Sequence, residues 1–270
     1  MKMMDQSPDS GRIIENPPNI IAGYPKTGRT WLRYMIANAL VQDAGIDLDV
    51  DFNNIYSIVP NDNAGLIDGQ PLFQYAGYIP KIEMTHKPYD EVQHAEANRI
   101  FLTRDPRDVM VSHWMHNKNQ IKVFAGDLTE FIREEQSGID RFVKHLDSWS
   151  SHLEPEEVLT YEQMRIDPVT ALKKVLRGFR VAIPEIIIKD VVANSTFDKM
   201  AQKELERGIA GHAYDRTNPE ALRIRRGKVG GFSDYLTGED IAFIDERIRS
   251  APETSQRIIA LTGFTSTNNT

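Results

Sequence analysis

GYPKTGRT, Gly23 to Thr30, has the outline of a nucleoside-triphosphate loop with its lysine in the wrong place. The spacing G-x-x-x-x-G-R-T puts Arg29 where such a loop carries lysine. The lysine, Lys26, comes three residues earlier. Asn19 to Tyr24 (NIIAGY) is a short apolar run ending near glycine, which reads as a buried strand. Thr30 to Val41 (TWLRYMIANALV) has helical apolar spacing. A strand, a glycine loop and a helix N-terminus together form a backbone anion site. Pro25 stiffens the loop and aims Lys26. An ordinary strand–turn–helix with surface cations fits the loop equally well on its own.

Outward from this loop, short apolar runs recur as strand candidates: Lys81 to Thr85 (KIEMT), Arg99 to Thr103 (RIFLT) and Glu157 to Thr160 (EVLT). Helical patterns run from Pro106 to about Lys118 and over 127–136, 139–151, 168–178, 184–193 and 238–249. Strands alternating with helices predict an α/β fold, one domain with a central parallel β-sheet flanked by helices. Residues 44–80 read as a long loop region with short elements, and loops of that length are usually functional. The polar, Pro-containing stretch 1–17 is expected to be a flexible arm, 18–264 the folded domain and 265–270 a flexible tail.

Composition narrows the function classes. The 270 residues include no cysteine, which rules out disulfides and thiolate metal sites and fits a cytoplasmic protein. A net charge of −7 argues against a general nucleic-acid surface while permitting a local basic pocket. No apolar run approaches the roughly 18 residues of a membrane span.

Three further stretches carry chemistry. In RDPRDVMVSHW, Arg104 leaves a strand end and Ser112 lies eight residues on. A helix opened by Pro106 would bring Asp105, Asp108 and Ser112 near one face, and Arg104 and Ser112 could share a phosphate. In MTHKP, His86 follows a strand end, and a neutral imidazole is the usual base for a hydroxyl near pH 7. RIRRGKVGGFSDYLT packs Arg223, Arg225, Arg226 and Lys228 into six residues broken by glycine. Gly227, Gly230 and Gly231 would let that backbone wrap an anion. Its cations are expected to repel one another without a ligand, so 205–232 reads as a mobile lid.

The ordered set resembles the sulfotransferases that use 3′-phosphoadenosine 5′-phosphosulfate (PAPS). YPKTGRTW is similar to their 5′-phosphosulfate loop and RDPRDVMVSHW to their 3′-phosphate motif. MTHKP resembles the catalytic-histidine segment, TYEQM (160–164) the tyrosine segment near adenine and STFDKM (195–200) a Ser/Thr-Phe-x-x-Met segment. RRGKVGGFSDYLT is similar to the C-terminal closing loop. The resemblance spans roughly residues 20–240.

It implies that His86, Lys26 and Ser112 are catalytic, with Lys26 at the bridging oxygen. It implies that Thr27, Gly28, Arg29 and Thr30 cradle the 5′-phosphate, with Trp31 near the adenine. Arg104 and Ser112 would hold the 3′-phosphate, and Tyr161, Thr196, Phe197 and Met200 would line the adenine side. Arg225, Arg226 and Gly227 would close over the 3′-phosphate. Arg29 departs from the usual Thr or Ser, and Gly231 and Phe232 from a polar residue and Trp. The implied reaction is sulfuryl transfer from PAPS to an acceptor hydroxyl of a small alcohol, phenol or hydroxylated natural product, releasing adenosine 3′,5′-bisphosphate (PAP), with no metal required. The animal dimerisation signature is not evident, so the oligomeric state stays open, a homodimer included. A P-loop kinase and a non-catalytic nucleotide-binding module are the rival readings. Aromatics of 52–89 (Phe52, Tyr56, Phe73, Tyr75, Tyr78, Tyr89), with Trp114, are candidates for an acceptor pocket or for core.

Overall fold

The computed structural model describes residues 17–62, 82–209, 211 and 213–266. Most of the expected arm and tail, and Phe73, Tyr75 and Tyr78, lie outside these residues.

Four short strands form one parallel sheet: β1 (Asn19–Ala22), β2 (Ile82–Thr85), β3 (Asn98–Thr103) and β4 (Val158–Thr160), in the order β2-β1-β3-β4. The register is continuous. Ile21 pairs with Met84 on one side and Ile100 on the other, and Leu102 pairs with Leu159. A sheet covered on both faces is apolar on both, and the period of two divides its side chains. Ile21, Ile100, Leu102 and Leu159 enter one core; Ala22, Phe101 and Val158 enter the other.

Twelve α-helices occur among the described residues. In chain order they are α1 (Arg29–Asp43), α2 (Ile55–Ile58), α3 (Glu91–His94), α4 (Pro106–Met115), α5 (Leu128–Arg133) and α6 (Ile139–Ser150). Then follow α7 (Tyr161–Ile166), α8 (Pro168–Gly178), α9 (Glu185–Asn194), α10 (Phe197–Arg207), α11 (Gly238–Arg249) and α12 (Glu253–Ala260). Helices α1, α8 and α9 pack the first face through Leu32, Ile36, Leu172, Val175 and Ile188. Helices α4, α5, α6, α11 and α12 pack the second through Val109, Ile132, Phe142, Trp149, Ile244 and Ile259. The expected single α/β domain with a helix-flanked parallel sheet is the observed fold.

The strand order places the site. From β1 the chain crosses to β2 on one side, then returns past β1 to β3 and β4 on the other. Ligands of open α/β sheets bind outside the carboxyl ends of the strands at such a reversal. Gly23, His86, Arg104 and Tyr161 each directly follow a strand there.

The expected element boundaries hold to within a few residues, with two differences. The helix after Arg104 is α-helical only to Met115 and continues as a π-turn over His116–Gln120. The four-residue α2 is one of the short elements expected within the long loop region. Helices α3, α7, α10 and α12 were not expected from periodicity. Each is short or strongly polar, and α7 and α10 begin inside segments read as ligand motifs.

Candidate active site

A cavity of about 250 Å³ opens at this carboxyl edge. Nine Lys and Arg side chains line it against one carboxylate, Asp108, among the described residues. That imbalance is expensive unless anions fill the space.

The Gly23–Thr30 loop forms the floor. Gly23 N–H donates to the Thr85 carbonyl at 3.3 Å, tying the loop to β2. The Thr27 hydroxyl turns inward and donates to the Tyr24 carbonyl at 2.9 Å, so its side chain braces the loop rather than facing the cavity. Gly28 caps α1 with φ 105°, and a Cβ there would stand 2.6 Å from Tyr161 Cδ2. Only glycine meets both demands. No side chain caps α1, so the first N–H groups of this 15-residue helix are left for a ligand. Lys26 itself has φ 73°, a left-handed conformation that costs a non-glycine residue of order 1 kcal/mol and clusters at functional sites. Burial first, then Arg223 and Arg104, push its ammonium well below its usual pKa. A bound anion would reverse that shift.

His86 stands beside the first residue of this loop and lines the cavity. Its Nδ1 lies 2.7 Å from the Gly23 carbonyl. A carbonyl only accepts, so Nδ1 carries the proton, and the neutral ring presents Nε2 as a free acceptor. Removal from bulk water, then Arg29, lowers its pKa well below 6.5, so the ring is neutral at pH 7. Two other histidines stand in the stretch that follows Arg104. His113 packs edge-on between Tyr24 and Phe131, away from the cavity. His116 lines the cavity, and burial followed by the charge of Lys26 pulls it to about 3.

Arg104 and Ser112 both face the cavity from β3 and α4. Arg104 lies 4.3 Å above the Tyr161 ring and donates to the Lys228 carbonyl at 3.0 Å. Asp105 departs from the expected face. It caps α4 through Arg107 N–H and holds the Arg107 side chain at 2.6 Å, outside the cavity. Because Pro106 opens the helix at once, Asp105 is its cap and cannot share the face of Asp108 and Ser112.

An aromatic slot adjoins these cations. Trp31 meets Tyr161 edge-on at 6.0 Å and is fixed by its indole N–H donating to Ser195 O at 2.8 Å. Phe197 and the buried Met200 complete the wall. Thr196 is exposed at the start of α10 and does not line the cavity.

The arginine-rich segment crosses the mouth, pinned at both ends by buried carboxylates. Glu204 of α10 accepts the N–H groups of Arg223 and Ile224, each at 2.7 Å, and the Tyr214 hydroxyl at 2.5 Å. Asp108 of α4 accepts the N–H groups of Gly230 and Phe232, each at 2.9 Å. Between the pins, Gly227 (φ 59°) rides so close to Phe197 that a Cβ would be 2.5 Å from its ring. The cations expected to repel one another are paired instead. Arg225 meets Glu220 at 2.9 Å, and Arg226 and Lys228 meet Asp234 at 2.8 and 3.2 Å. Glu220 precedes the motif and Asp234 lies within it beyond the cations, where a reading confined to those cations missed both.

Of the other aromatics, Tyr56 lines the cavity. Phe52 is wholly buried core, Tyr89 stacks on His152 and meets Trp149 edge-on in the second core, and Trp114 donates to Gly126 O. Arg33, Asn61, Arg165 and Glu204 carried no motif. Arg33 lies one helical turn beyond Arg29, and that i, i+4 spacing was the only signal that could have found any of them.

Comparisons with known proteins agree with this geometry. A family profile described as the sulfotransferase domain matches residues 16–257. The chain is 27% identical to cytosolic sulfotransferase 17 of Arabidopsis thaliana over 87% of its own length and 74% of that protein. It is 25% identical to flavonol 3-sulfotransferase of Flaveria bidentis, over 88% and 83%. The fold is similar to that of mouse sulfotransferase SULT7A1 complexed with PAP, at a TM-score of 0.63 and 18% identity over 93% of this chain and 90% of the other. It is also similar to retinol dehydratase with androsterone and PAP, at 0.60 and 18% over 86% and 79%. The chain therefore belongs to the sulfotransferase family, as a PAPS-dependent enzyme on a P-loop-like α/β fold.

Proposed function

We propose that this enzyme sulfates an acceptor hydroxyl with His86 as general base and Lys26 at the leaving group. The observation that carries the reading is the hydrogen bond from His86 Nδ1 to the Gly23 carbonyl at 2.7 Å. It fixes the tautomer and turns the basic Nε2 toward the cavity that the Lys26 loop floors.

The residues present fit a nucleotide bearing phosphates at two places. The uncapped N-terminus of α1 and Lys26 suit the 5′ end. Arg104, Ser112, Arg225 and Arg226 suit the 3′-phosphate, and Trp31, Tyr161 and Phe197 suit a base. PAPS, when bound, supplies the sulfuryl group and departs as PAP. His86 Nε2 takes the acceptor proton as the new O–S bond forms. Lys26 meets the charge left on the departing phosphate as the old S–O bond breaks, the stage at which electrostatic stabilisation counts most. No metal is invoked, because the cations of the chain occupy the positions where charge develops. The small alcohols, phenols and hydroxylated natural products implied by the sequence are the acceptors to screen, and a cytoplasmic location accords with the cytosolic sulfotransferase among its relatives.

Replacing His86 with Ala tests the assignment. PAP affinity, measured by calorimetry, should stay within about twofold, while turnover falls about 10²-fold or more. Wild-type turnover in that variant would move the base elsewhere, with His116 next. PAP should also bind over tenfold more tightly than 5′-AMP, roughly 1.4 kcal/mol or more; equal affinities would remove the 3′-phosphate site.

A further inference from the structure

On the His86 side of the cavity stands a second cationic cluster, in which Arg29, expected from the resemblance at the 5′-phosphate, is joined by Arg33. Arg29 and Arg33 lie on successive turns of α1, 7% and 2% exposed. Both line the cavity beside Asn61 and Tyr56. Their Nη2 atoms donate to a single acceptor, Asn61 Oδ1, at 3.0 and 2.6 Å. Arg33 lies 4.3 Å from the centre of the Tyr56 ring, and Arg223 donates to the Tyr56 hydroxyl at 3.1 Å.

This cluster has unspent hydrogen-bonding capacity. Nε and Nη1 of Arg29 and Nε of Arg33 are buried without a partner among the described residues. The acid that acts on Arg29, Asp62, is engaged by the Thr85 hydroxyl at 2.9 Å and by Lys87 at 3.0 Å. Burial first, then Arg33, weakens the hold of Arg29 on its charge, and burial pulls Arg33 to about 10. Burial alone would raise the Tyr56 phenol, but Arg223, Arg33 and Arg29 outweigh it and lower its pKa. Two desolvated guanidiniums sharing one amide oxygen are costly unless an anion completes them.

Arg223 reaches both parts of the cavity: with Arg104 and Arg225 it acts on Lys26, and it also acts on Arg29, Arg33 and Tyr56. The arginines that act on His86 are Arg29 and Arg33. The pair therefore faces the same space as the proposed base.

We propose that Arg29 and Arg33 form the anion half of the acceptor subsite, so that the preferred acceptor carries a carboxylate or similar anionic group near the hydroxyl that meets His86. This rests on the His86 assignment above. A planar guanidinium suits a carboxylate through two parallel N–H bonds. A neutral acceptor would leave the same donors unpaired, the situation in which polar sites discriminate most strongly.

The test uses labelled PAPS and three phenols matched in shape: 4-hydroxyphenylacetate, its methyl ester and 4-hydroxybenzylphosphonate. The two anions should exceed the ester in kcat/KM by tenfold or more, and their ratio tells carboxylate from phosphonate preference. Arg33→Met should bring the acid-to-ester ratio close to one while PAP affinity stays within twofold. If Arg33→Met does not fold, Arg33→Gln is read the same way. Where none of the phenols turns over, calorimetry on the enzyme–PAP complex replaces turnover, with the acid binding at least tenfold tighter than the ester. Equal handling of acid and ester by the wild type overturns the proposal. So does an Arg33→Met variant that weakens PAP and keeps the ratio, which would assign the pair to the nucleotide. Tight PAP binding by the wild type, read in the same titrations, tests the nucleotide assignment separately.

Discussion

Glu204 never touches the cavity, yet replacing it should loosen nucleotide binding. Its carboxylate is fully buried and takes two backbone N–H groups at the start of the arginine-rich segment. Glu204→Gln keeps the shape but offers one oxygen and one NH₂ where two acceptors are needed. One charge-assisted bond is lost and a donor is turned toward a donor. Hydrogen bonds to charged groups contribute about 1.5–3 kcal/mol each. If about 2 kcal/mol of this is felt only with the segment closed, PAP should bind roughly 30-fold more weakly. Calorimetry gives the affinity, and hydrogen exchange over 213–232 shows whether PAP still protects the segment. Glu206→Gln, exposed on the same helix, is the control. A folded Glu204→Gln protein that binds PAP within twofold of wild type, with unchanged protection, would refute the idea that this carboxylate sets the closed shape.

Gly227→Ala should weaken PAP by tenfold or more, since its Cβ would meet Phe197 at 2.5 Å in a left-handed backbone; Gly230→Ala, equally left-handed but with open space around it, should cost less, and the reverse order in calorimetry would count against the close packing of the segment. Because burial holds His113 and His145 at about 4 and His116 at about 3, the unfolded chain binds more protons than the fold below pH 6.5. Stability is therefore fully present above about pH 6.5 and lost as pH falls toward 4, and a melting temperature flat between pH 7.5 and 5 would contradict this. Lys26→Ala should lower turnover far more than PAP affinity. Because burial lowers the Lys26 pKa, PAP binding below the ordinary lysine range should also draw protons onto it, seen as a buffer-dependent binding enthalpy that the variant lacks.

The fold was legible because its strands end where chemistry begins. Apolar runs stop at Gly23, His86, Arg104 and Tyr161, and each stop sits beside a residue type with a reason to face a ligand. Backbone commitments were harder to see. Nothing in the spacing says that the Thr27 hydroxyl turns inward, or that Asp105 spends itself on capping. Glu204 lies in a polar helix with few apolar residues and works through partners nineteen and twenty residues on. The Arg29–Arg33–Asn61 cluster joins α1 to a residue paired with β2, a contact that no local pattern encodes.

The bond between His86 and the Gly23 carbonyl links two neighbouring strands just past their last residues. Parallel neighbours stand about 4.8 Å apart whatever their sequence. On the proposed assignment, the span between base and leaving-group lysine is thus a dimension of the sheet itself. The acceptor wall, built from α1 and the chain around Tyr56 and Asn61, is a separate part. Substitutions there could retune which hydroxyl enters without disturbing the distance over which the group is passed, which makes this wall the natural place to engineer new acceptors.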